Sequence, residues 1–242
     1  MRRLNPSKTI DYLLSENPNR TQVLSRYGIA HPKDGSKTLL EACSERNLSL
    51  VEVMSVFELL ERHRPLDHKP PALEASIDEW IDHIVKGHHE YLRKELKRLT
   101  VLLAKCAKTD GQKAAWWNGL KKSLADFRLN MEKHLDQEEE RFFPIFRTLE
   151  YAHTAPSFHF GSIRHPLEEN EKEHDSVRSW FRRFRRLIAH HNIAGPNGTA
   201  FRKFLKEIEL LEWDLYRHIQ EEDEVLFPKV LEREKHLAAL KR

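Results

Sequence analysis

Apolar residues recur at intervals of three and four along almost the whole chain, whereas the alternation typical of strands is nearly absent. This spacing predicts an all-α protein. After residue 75 the pattern predicts four long helices, with the approximate ranges 76–108, 113–149, 166–191 and 199–240. Because most of their connections are short, we expect them to form an antiparallel four-helix bundle over residues 76–242.

The preceding residues, 1–64, are predicted to form a small helical domain. Their pattern indicates four short helices with the sequences SKTIDYLLSE, NRTQVLSRYG, SKTLLEACSERN and SLVEVMSVFELLERH. Gly28 is expected to stop the second helix. The predicted N-caps are Ser7, Ser36 and Ser49. Residues 65–75 contain three prolines and little apolar pattern, which predicts a linker between the two domains.

Composition and charge exclude several function classes. The net charge of +3 is small beside 41 basic and 38 acidic residues, which argues against nucleic acid as the main partner. No segment reaches the roughly 20 apolar residues of a membrane span. The basic start MRRLNPSK leads into no apolar signal region, so a cytoplasmic protein without membrane insertion is expected. Cys43 and Cys106 are too few for a disulfide framework, and Cys43 is predicted to be buried.

The bundle sequence contains an internal repeat. HLDQEEERFFP at residues 134–144 returns as HIQEEDEVLFP at residues 218–228. A shift of 84 positions superposes the two phrases, and the matching pairs are His134 and His218, Glu138 and Glu222, and Pro144 and Pro228. A shift of 85 relates the third helix to the first and places His174 on His89. The repeat predicts two related helix hairpins whose shared residues meet around a central pseudo-twofold axis.

Polar residues interrupt the apolar stripes of these helices at one level. A His and the Glu four residues later share one helix face. A buried carboxylate costs several kcal/mol unless a proton, an ion pair or a cation neutralises it. No Lys or Arg lies on the stripes at this level, so a metal centre is preferred over histidines that are merely satisfied in the core. The predicted metal ligands are His89, His134, Glu138, His174, His218 and Glu222.

Six ligands are too many for one tetrahedral zinc ion. Four imidazoles and two carboxylates suit two first-row transition ions, such as iron, manganese or zinc, that the carboxylates bridge. Such a pair leaves open positions for a small ligand. An additional oxide or hydroxide bridge is expected because two glutamates alone leave two divalent ions undercompensated.

Several residues near the ligands are predicted to lie on the surface. His83, His88, Glu139 and Glu221 point off the stripes and are predicted to be solvated. The segment RSWFRRFRRL at residues 178–187 is predicted to expose its arginines as a solvated face rather than a nucleic-acid or membrane surface. The residues expected on its inward face are Trp180, Phe181, Phe184 and Leu187.

The ligand pattern resembles the hemerythrin-like domain, a four-helix bundle with a non-haem di-iron centre, over residues 77–230. The segments SIDEWIDHIVKGHHEY, EKHLDQEEERFFP, NEKEHDSV and RHIQEEDEVLFP resemble more closely the ScdA-type family called repair of iron centres. Members of that family carry a short N-terminal helical domain similar to residues 1–64. The resemblance implies that the four histidines are terminal ligands of two oxo- or hydroxo-bridged irons and that Glu138 and Glu222 bridge them.

The chain departs from this family in its N-terminal domain. Family members have a Cys-Cys pair after a tyrosine, whereas Pro32 and Lys33 occupy the corresponding positions after Tyr27 here. Any step that uses those thiols is therefore not expected in this chain.

Two functions follow from the resemblance. The first is defence against nitrosative or oxidative stress, with binding or reduction of nitric oxide at a di-iron centre and repair of iron–sulfur proteins. The second is a reversible carrier, scavenger or sensor of O2 or nitric oxide. The N-terminal domain favours the first, and the missing cysteines favour the second. The sequence leaves open whether the chain is an enzyme and whether it forms a homodimer.

Overall fold

The computed structural model describes residues 4–17, 20–51, 53–54, 57, 70–109, 114–189 and 197–240. None of these residues forms a β-strand, and the predicted all-α class is confirmed. The chain divides into two compact units, Met1–Asp67 and His68–Arg242. The first part of the predicted linker, residues 65–69, lies outside the described residues, and the exact domain boundaries stay a prediction.

The described helices of the N-terminal unit are α1 (Ile10–Glu16), α2 (Arg20–Arg26) and α3 (Leu39–Glu45). Helices α1 and α3 begin later than predicted, and their N-caps are threonines instead of Ser7 and Ser36. Thr9 Oγ1 accepts a hydrogen bond from the Tyr12 amide, and Thr38 forms a capping box with Glu41. Most of the fourth predicted helix, which Ser49 was expected to cap, lies outside the described residues.

Gly28 ends α2 as predicted. Its φ of 71° lies in the left-handed region that favours glycine, and the Ile29 amide donates to the Leu24 carbonyl. Cys43 is buried, as predicted. Pro32 and Lys33 are exposed in the loop between α2 and α3. The loop is fastened by buried Asp34, which accepts hydrogen bonds from the Ala30 amide and the Arg46 guanidinium. Pro32 and Lys33, where the resemblance predicts a Cys-Cys pair, therefore lie in a surface loop.

The second unit is the predicted antiparallel four-helix bundle. Its first helix, α4, comprises Ile77–Ile84, a π-helical turn at Val85–His89, and Glu90–Thr109. The second, α5, comprises Ala114–Gln137, a π-helical turn at Glu138–Phe142, and Phe143–Tyr151. The third, α6, is Arg164–Ala189. The fourth, α7, comprises Asn197–Glu221, a π-helical turn at Glu222–Leu226, and Phe227–Ala239. No described helix has the length and apolar character needed to cross a lipid bilayer.

The prolines of the repeat explain two of the π-helical turns. Proline has no amide hydrogen, and its ring clashes with the carbonyl four residues earlier. The turn before each proline therefore widens: the Phe143 amide donates to the Glu138 carbonyl, and the Phe227 amide to the Glu222 carbonyl. Both bonds span five residues instead of four. Each widened turn begins at the glutamate of a repeated motif, so the proline influences the direction in which that glutamate side chain leaves the helix.

The bundle contains two apolar clusters that are separated by the polar level. One cluster includes Leu96, Leu124, Phe184 and Phe204, each at most 1% exposed. The other is built from the opposite ends of the helices and includes Phe146. Fully burying a side chain of this size stabilises the fold by about 1.5–3 kcal/mol. The apolar packing on both sides of the polar level therefore holds the helices in register there.

The arginine-rich segment of α6 mostly follows its prediction. Trp180, Phe181 and Phe184 are buried on the inward face. Leu187 is 43% exposed, so its predicted inward position is wrong. It lies near the end of α6, where its neighbour Ile188 is the residue that packs against the apolar cluster.

We expect Phe204→Ala to destabilise the bundle by about 3–5 kcal/mol, because it leaves a cavity in the apolar cluster. The measurement is chemical unfolding followed by circular dichroism. Leu129→Ala is the control, since Leu129 is 57% exposed and its truncation should change the free energy of unfolding by less than about 0.5 kcal/mol. Equal effects of the two substitutions would contradict the assigned core.

Candidate metal centre

The structure brings all six predicted ligands together in the bundle interior. His89, His174, His218, Glu138 and Glu222 have no exposed surface, and His134 is 4% exposed. In the described part of the chain, their donor atoms form two groups within which all atoms lie within 4.8 Å of one another. One group is His89, Glu138, His218 and Glu222, and the other is His134, Glu138 and His174.

Each glutamate lies between the two histidines of its own hairpin. Glu138 Oε2 is 3.4 Å from His89 Nε2, and Glu138 Oε1 is 3.3 Å from His134 Nε2. Glu222 Oε2 is 3.2 Å from His174 Nε2, and its Oε1 is 3.1 Å from His218 Nε2. The two sets of contacts match under the sequence repeat, which is the pseudo-twofold arrangement that the repeat predicts.

The histidines pair across the two hairpins. His89 Nε2 lies 3.1 Å from His218 Nε2, and the rings of His134 and His174 have centroids 5.3 Å apart. One oxygen of each glutamate faces the first pair and the other oxygen faces the second. The arrangement therefore offers two positions with two imidazole nitrogens each. Oxygens of both glutamates complete the first position, and Glu138 completes the second, where Glu222 Oε2 lies beside His174.

Several of these donor atoms have no other use. His134 Nε2, His174 Nε2, Glu138 Oε2 and both carboxylate oxygens of Glu222 are buried without a hydrogen-bond partner among the described residues. Buried polar atoms are normally satisfied, so a group of unsatisfied ones that point to one place indicates a bound ligand. Imidazole nitrogen and carboxylate oxygen are suitable ligands for iron, manganese and zinc. The residues present thus fit a pair of metal ions.

The second ring nitrogen of three histidines is held by a carboxylate. His89 Nδ1 lies 2.8 Å from Glu139, His134 Nδ1 lies 2.7 Å from Glu173, and His174 Nδ1 lies 2.9 Å from Asp223. Each carboxylate accepts the Nδ1 hydrogen, which leaves the Nε2 lone pair free for a metal. This pairing fixes both the ring orientation and the tautomer.

Two of these outer carboxylates also belong to the repeat. Glu139 and Asp223 immediately follow the motif glutamates and match under the shift of 84 positions. Arg93 donates to Glu139 at 3.0 Å, and Arg178 donates to Asp223 at 3.4 Å. The two arginines match under the shift of 85. The recurrence of an acid after each motif glutamate was a sequence signal for these positions, and the surface prediction for Glu139 overlooked it.

The electrostatics at this level favour the ionised form of Glu222. Burial opposes the ionised form of Glu222, but His218 and His174 outweigh it and hold its pKa well below the usual range. Burial likewise opposes protonation of His174, but Asp223 and Glu222 outweigh it and raise its pKa to about 10. Burial lowers the pKa of His218. Glu222 is therefore ionised at neutral pH, and a metal must displace the proton of His174.

Asn170 is a further buried group at the site that sequence reasoning missed. Its amide nitrogen donates to Glu138 Oε1 at 2.8 Å, and the residue is 1% exposed. It lies one turn before His174 on α6. A single asparagine carried no motif, so only the packing of α6 against α5 showed it.

A cavity of about 560 Å³ between α5 and α6 reaches the site from one side. Its lining includes His134, Glu173, Gln137 and Met131. The Glu173 side chain is 49% exposed, so the outer partner of His134 lies at the cavity wall and in contact with solvent. The cavity is wide enough for a small molecule to approach the pair formed by His134 and His174.

The surface prediction for three other residues is wrong. His88 is fully buried, Glu221 is 9% exposed and the His83 side chain is 6% exposed, and the three lie together beside the six-residue site. All three residues are off the central stripes, but α4 and α7 pack directly against each other and cover them. Burial opposes protonation of His88, but the neighbouring Asp214 and Glu221 carboxylates outweigh this effect and raise the pKa of His88 to about 9.

Comparison with known proteins assigns the class. The model of the hemerythrin HHE cation-binding domain matches residues 81–230, and the chain belongs to this family. The match covers all six candidate ligands. Together with the convergent histidines and glutamates, it makes the bundle a metal-binding domain.

The relatives extend over nearly the whole chain. A probable iron-sulfur cluster repair protein of Haemophilus influenzae is 26% identical over 216 residues, which are 88% of this chain and 92% of the relative. The iron-sulfur cluster repair protein YtfE of Edwardsiella ictaluri is 27% identical over 216 residues, with the same shares of the two chains. The YtfE protein of Escherichia coli is 26% identical over 219 residues, which are 88% of this chain and 92% of the relative. The similarity therefore includes the N-terminal unit as well as the bundle.

We expect Glu138→Leu and Glu222→Leu each to lower the amount of bound metal while the protein keeps its helical content. Leucine removes a carboxylate that has no Lys or Arg partner among the described residues, and the surrounding apolar clusters can close over it. The measurements are metal analysis and circular dichroism. Full metal occupancy in both variants would contradict a ligand role for these carboxylates.

Glu139→Ala should weaken metal binding about 10- to 100-fold, because it removes the acceptor that orients His89. The matched control is Glu140→Ala, since the neighbouring Glu140 is exposed. The dissociation constants are compared by competition with a chelator of known affinity. If both variants bind metal equally well, the contact between His89 and Glu139 has no role in the site.

Proposed function

We propose that the chain is a non-haem di-iron protein that helps repair iron–sulfur centres damaged by nitrosative or oxidative stress. The observation that carries the proposal is the symmetric donor set, in which two glutamates each face one histidine of either pair. The relatives named as iron-sulfur cluster repair proteins, which cover most of the chain, supply the biological setting. The partners are then proteins that contain iron–sulfur centres.

The six residues would hold two iron ions as follows. His89 and His218 would bind one ion, and His134 and His174 the other. Glu138 and Glu222 would bridge the two. Iron in this setting supplies one-electron chemistry and open positions for small ligands such as nitric oxide or O2.

The chain's own side chains prepare the site in three ways. Glu139, Glu173 and Asp223 accept the Nδ1 hydrogens and keep the Nε2 atoms available. The apolar clusters on either side exclude bulk water, which strengthens the attraction between the glutamates and cations. Asn170 donates to Glu138 and fixes one bridging carboxylate. The donors are thus held in position before a metal arrives.

The cavity between α5 and α6 supports access by small ligands from one side. It leads to His134, whose outer partner Glu173 is partly solvated. Nitric oxide and O2 are small and nearly apolar, and Phe127, Met131 and Val177 are among the lining residues. The same opening gives water and chelating groups a route to this half of the site, which an iron-donating role requires.

A reversible carrier, scavenger or sensor of O2 or nitric oxide is the second candidate function. The observation in its favour is the surface loop in which Pro32 and Lys33 stand at the positions of the family's Cys-Cys pair. Without those thiols, this chain would not carry out the family's steps that use them. The N-terminal unit is nevertheless included in the similarity to the repair proteins, which favours the first candidate.

The test of the first function is recovery of a damaged enzyme. Iron-loaded full-length protein is mixed with an iron–sulfur hydratase that nitric oxide has inactivated, and the hydratase activity is followed. We expect recovery with the unmodified protein and with Glu140→Leu, and none with Glu138→Leu, which lacks a bridging carboxylate.

Two other outcomes would overturn the proposal. Stoichiometric, reversible binding of nitric oxide or O2 without recovery would establish the carrier instead. Recovery by Glu138→Leu at the unmodified rate would show that the proposed centre is not involved. Consumption of many equivalents of nitric oxide by the reduced protein would in addition show that the chain is an enzyme.

A further inference from the structure

A second group of candidate ligands lies beside the six-residue site, and the proposed function does not use it. It consists of His83, His88 and Glu221, whose donor atoms all lie within 4.8 Å of one another. His83 Nε2 is 2.9 Å and His88 Nε2 is 3.1 Å from the same carboxylate oxygen, Glu221 Oε2. The side chains of His83 and Glu221 are 6% and 11% exposed, and that of His88 is fully buried. Two imidazoles and one carboxylate therefore converge at a point that is nearly closed to solvent.

The group lies in the interface between α4 and α7, away from the central axis of the bundle. His88 precedes His89 in the π-helical turn of α4, and Glu221 precedes Glu222 at the start of the π-helical turn of α7. The His88 ring stacks on the His218 ring with centroids 5.6 Å apart. The two sites are thus neighbours that share no ligand.

His88 has a carboxylate at each of its two ring nitrogens. His88 Nδ1 lies 3.2 Å from Asp214 Oδ1, and His88 Nε2 faces Glu221. With Asp214 as acceptor for Nδ1, the Nε2 atom of His88 faces the point where His83 and Glu221 converge, and there it can offer its lone pair to an ion. The same arrangement orients His89, His134 and His174.

The charges around the group favour a cation. Asp214 is fully buried, and Glu221 is its neighbour across His88. Arg217 Nε donates to Glu221 Oε1 at 3.0 Å and leaves Oε2 for the two histidines. The two carboxylates outnumber the one guanidinium, and they would compensate the charge of a divalent ion bound among them.

The group is absent from the corresponding place between α5 and α6. Under the sequence repeat, His83 and His88 match Glu168 and Glu173, and Glu221 matches Gln137. Glu173 and Gln137 line the cavity that opens toward His134. The histidines are therefore not a by-product of the repeat, and Gln is a residue that the fold accepts at the position of Glu221.

We propose that His83, His88 and Glu221 bind a single divalent transition-metal ion such as Zn²⁺ or Fe²⁺, with Asp214 orienting His88. Two imidazoles and one carboxylate are a common donor set for both metals and leave coordination positions open. Metal–ligand bonds of roughly 2.0–2.1 Å place tetrahedral ligands roughly 3.3 Å apart, so the donors need to separate by only a few tenths of an ångström. The proposal stands independently of the di-iron function.

The test is Zn²⁺ binding to the iron-loaded full-length protein. Isothermal titration and metal analysis after gel filtration should show one Zn²⁺ per chain in addition to the bound iron. Glu221→Gln should weaken this binding at least tenfold without changing the iron content or the helical content. His153→Gln is the control for adventitious binding, since His153 is an exposed histidine outside both sites, and it should bind Zn²⁺ like the unmodified protein.

X-ray absorption at the zinc edge supplies an independent measurement, and two imidazole ligands are expected in the first shell of the bound ion. The proposal is overturned if the iron-loaded protein takes up no further Zn²⁺, or if Glu221→Gln binds it as tightly as the unmodified protein does. Iron content is measured in the same samples. If the unmodified protein holds no iron but binds one Zn²⁺ that Glu221→Gln fails to bind, the result contradicts the di-iron function and supports this site.

Discussion

Two glutamate carboxylates buried in the middle of an apolar bundle are the constraint on which the rest of the structure depends. Glu138 and Glu222 are fully buried, and neither forms an ion pair with Lys or Arg among the described residues. Such groups are strongly unfavourable unless positive charge compensates them. The four surrounding histidines provide part of that compensation, and the donor set fits cations that would supply the rest. Apolar packing on both sides keeps water from providing it instead.

The duplicated hairpin explains how a chain constructs such a site. The first hairpin contains a histidine, an acid that accepts its Nδ1 hydrogen and an arginine that donates to the acid, and the second hairpin repeats the set. These residues are His89, Glu139 and Arg93 in the first hairpin and His174, Asp223 and Arg178 in the second. Because the same set of contacts occurs twice around a pseudo-twofold axis, the site has two equivalent halves. Each half then presents one glutamate oxygen to either pair of histidines.

The two halves differ outside the central level, and this difference distinguishes the two sides of the bundle. On the side of α5 and α6, Glu173 and Gln137 line an open cavity. On the side of α4 and α7, the matching residues His88 and Glu221 are buried and contact each other. One side therefore gives small molecules access to the centre, whereas the other side holds a closed polar group beside it.

The sequence alone determined the four helices, to within about two residues at their described ends, and the six polar positions on their central stripes. Both follow from local periodicity, because a stripe of apolar residues at helical spacing must face the core. Tertiary structure decided the burial of His88 and Glu221, since a residue off the stripe is buried only where a second helix covers it. It also decided the π-helical turns that begin at Glu138 and Glu222, because a single widened turn leaves the 3.6-residue pattern of a helix almost unchanged.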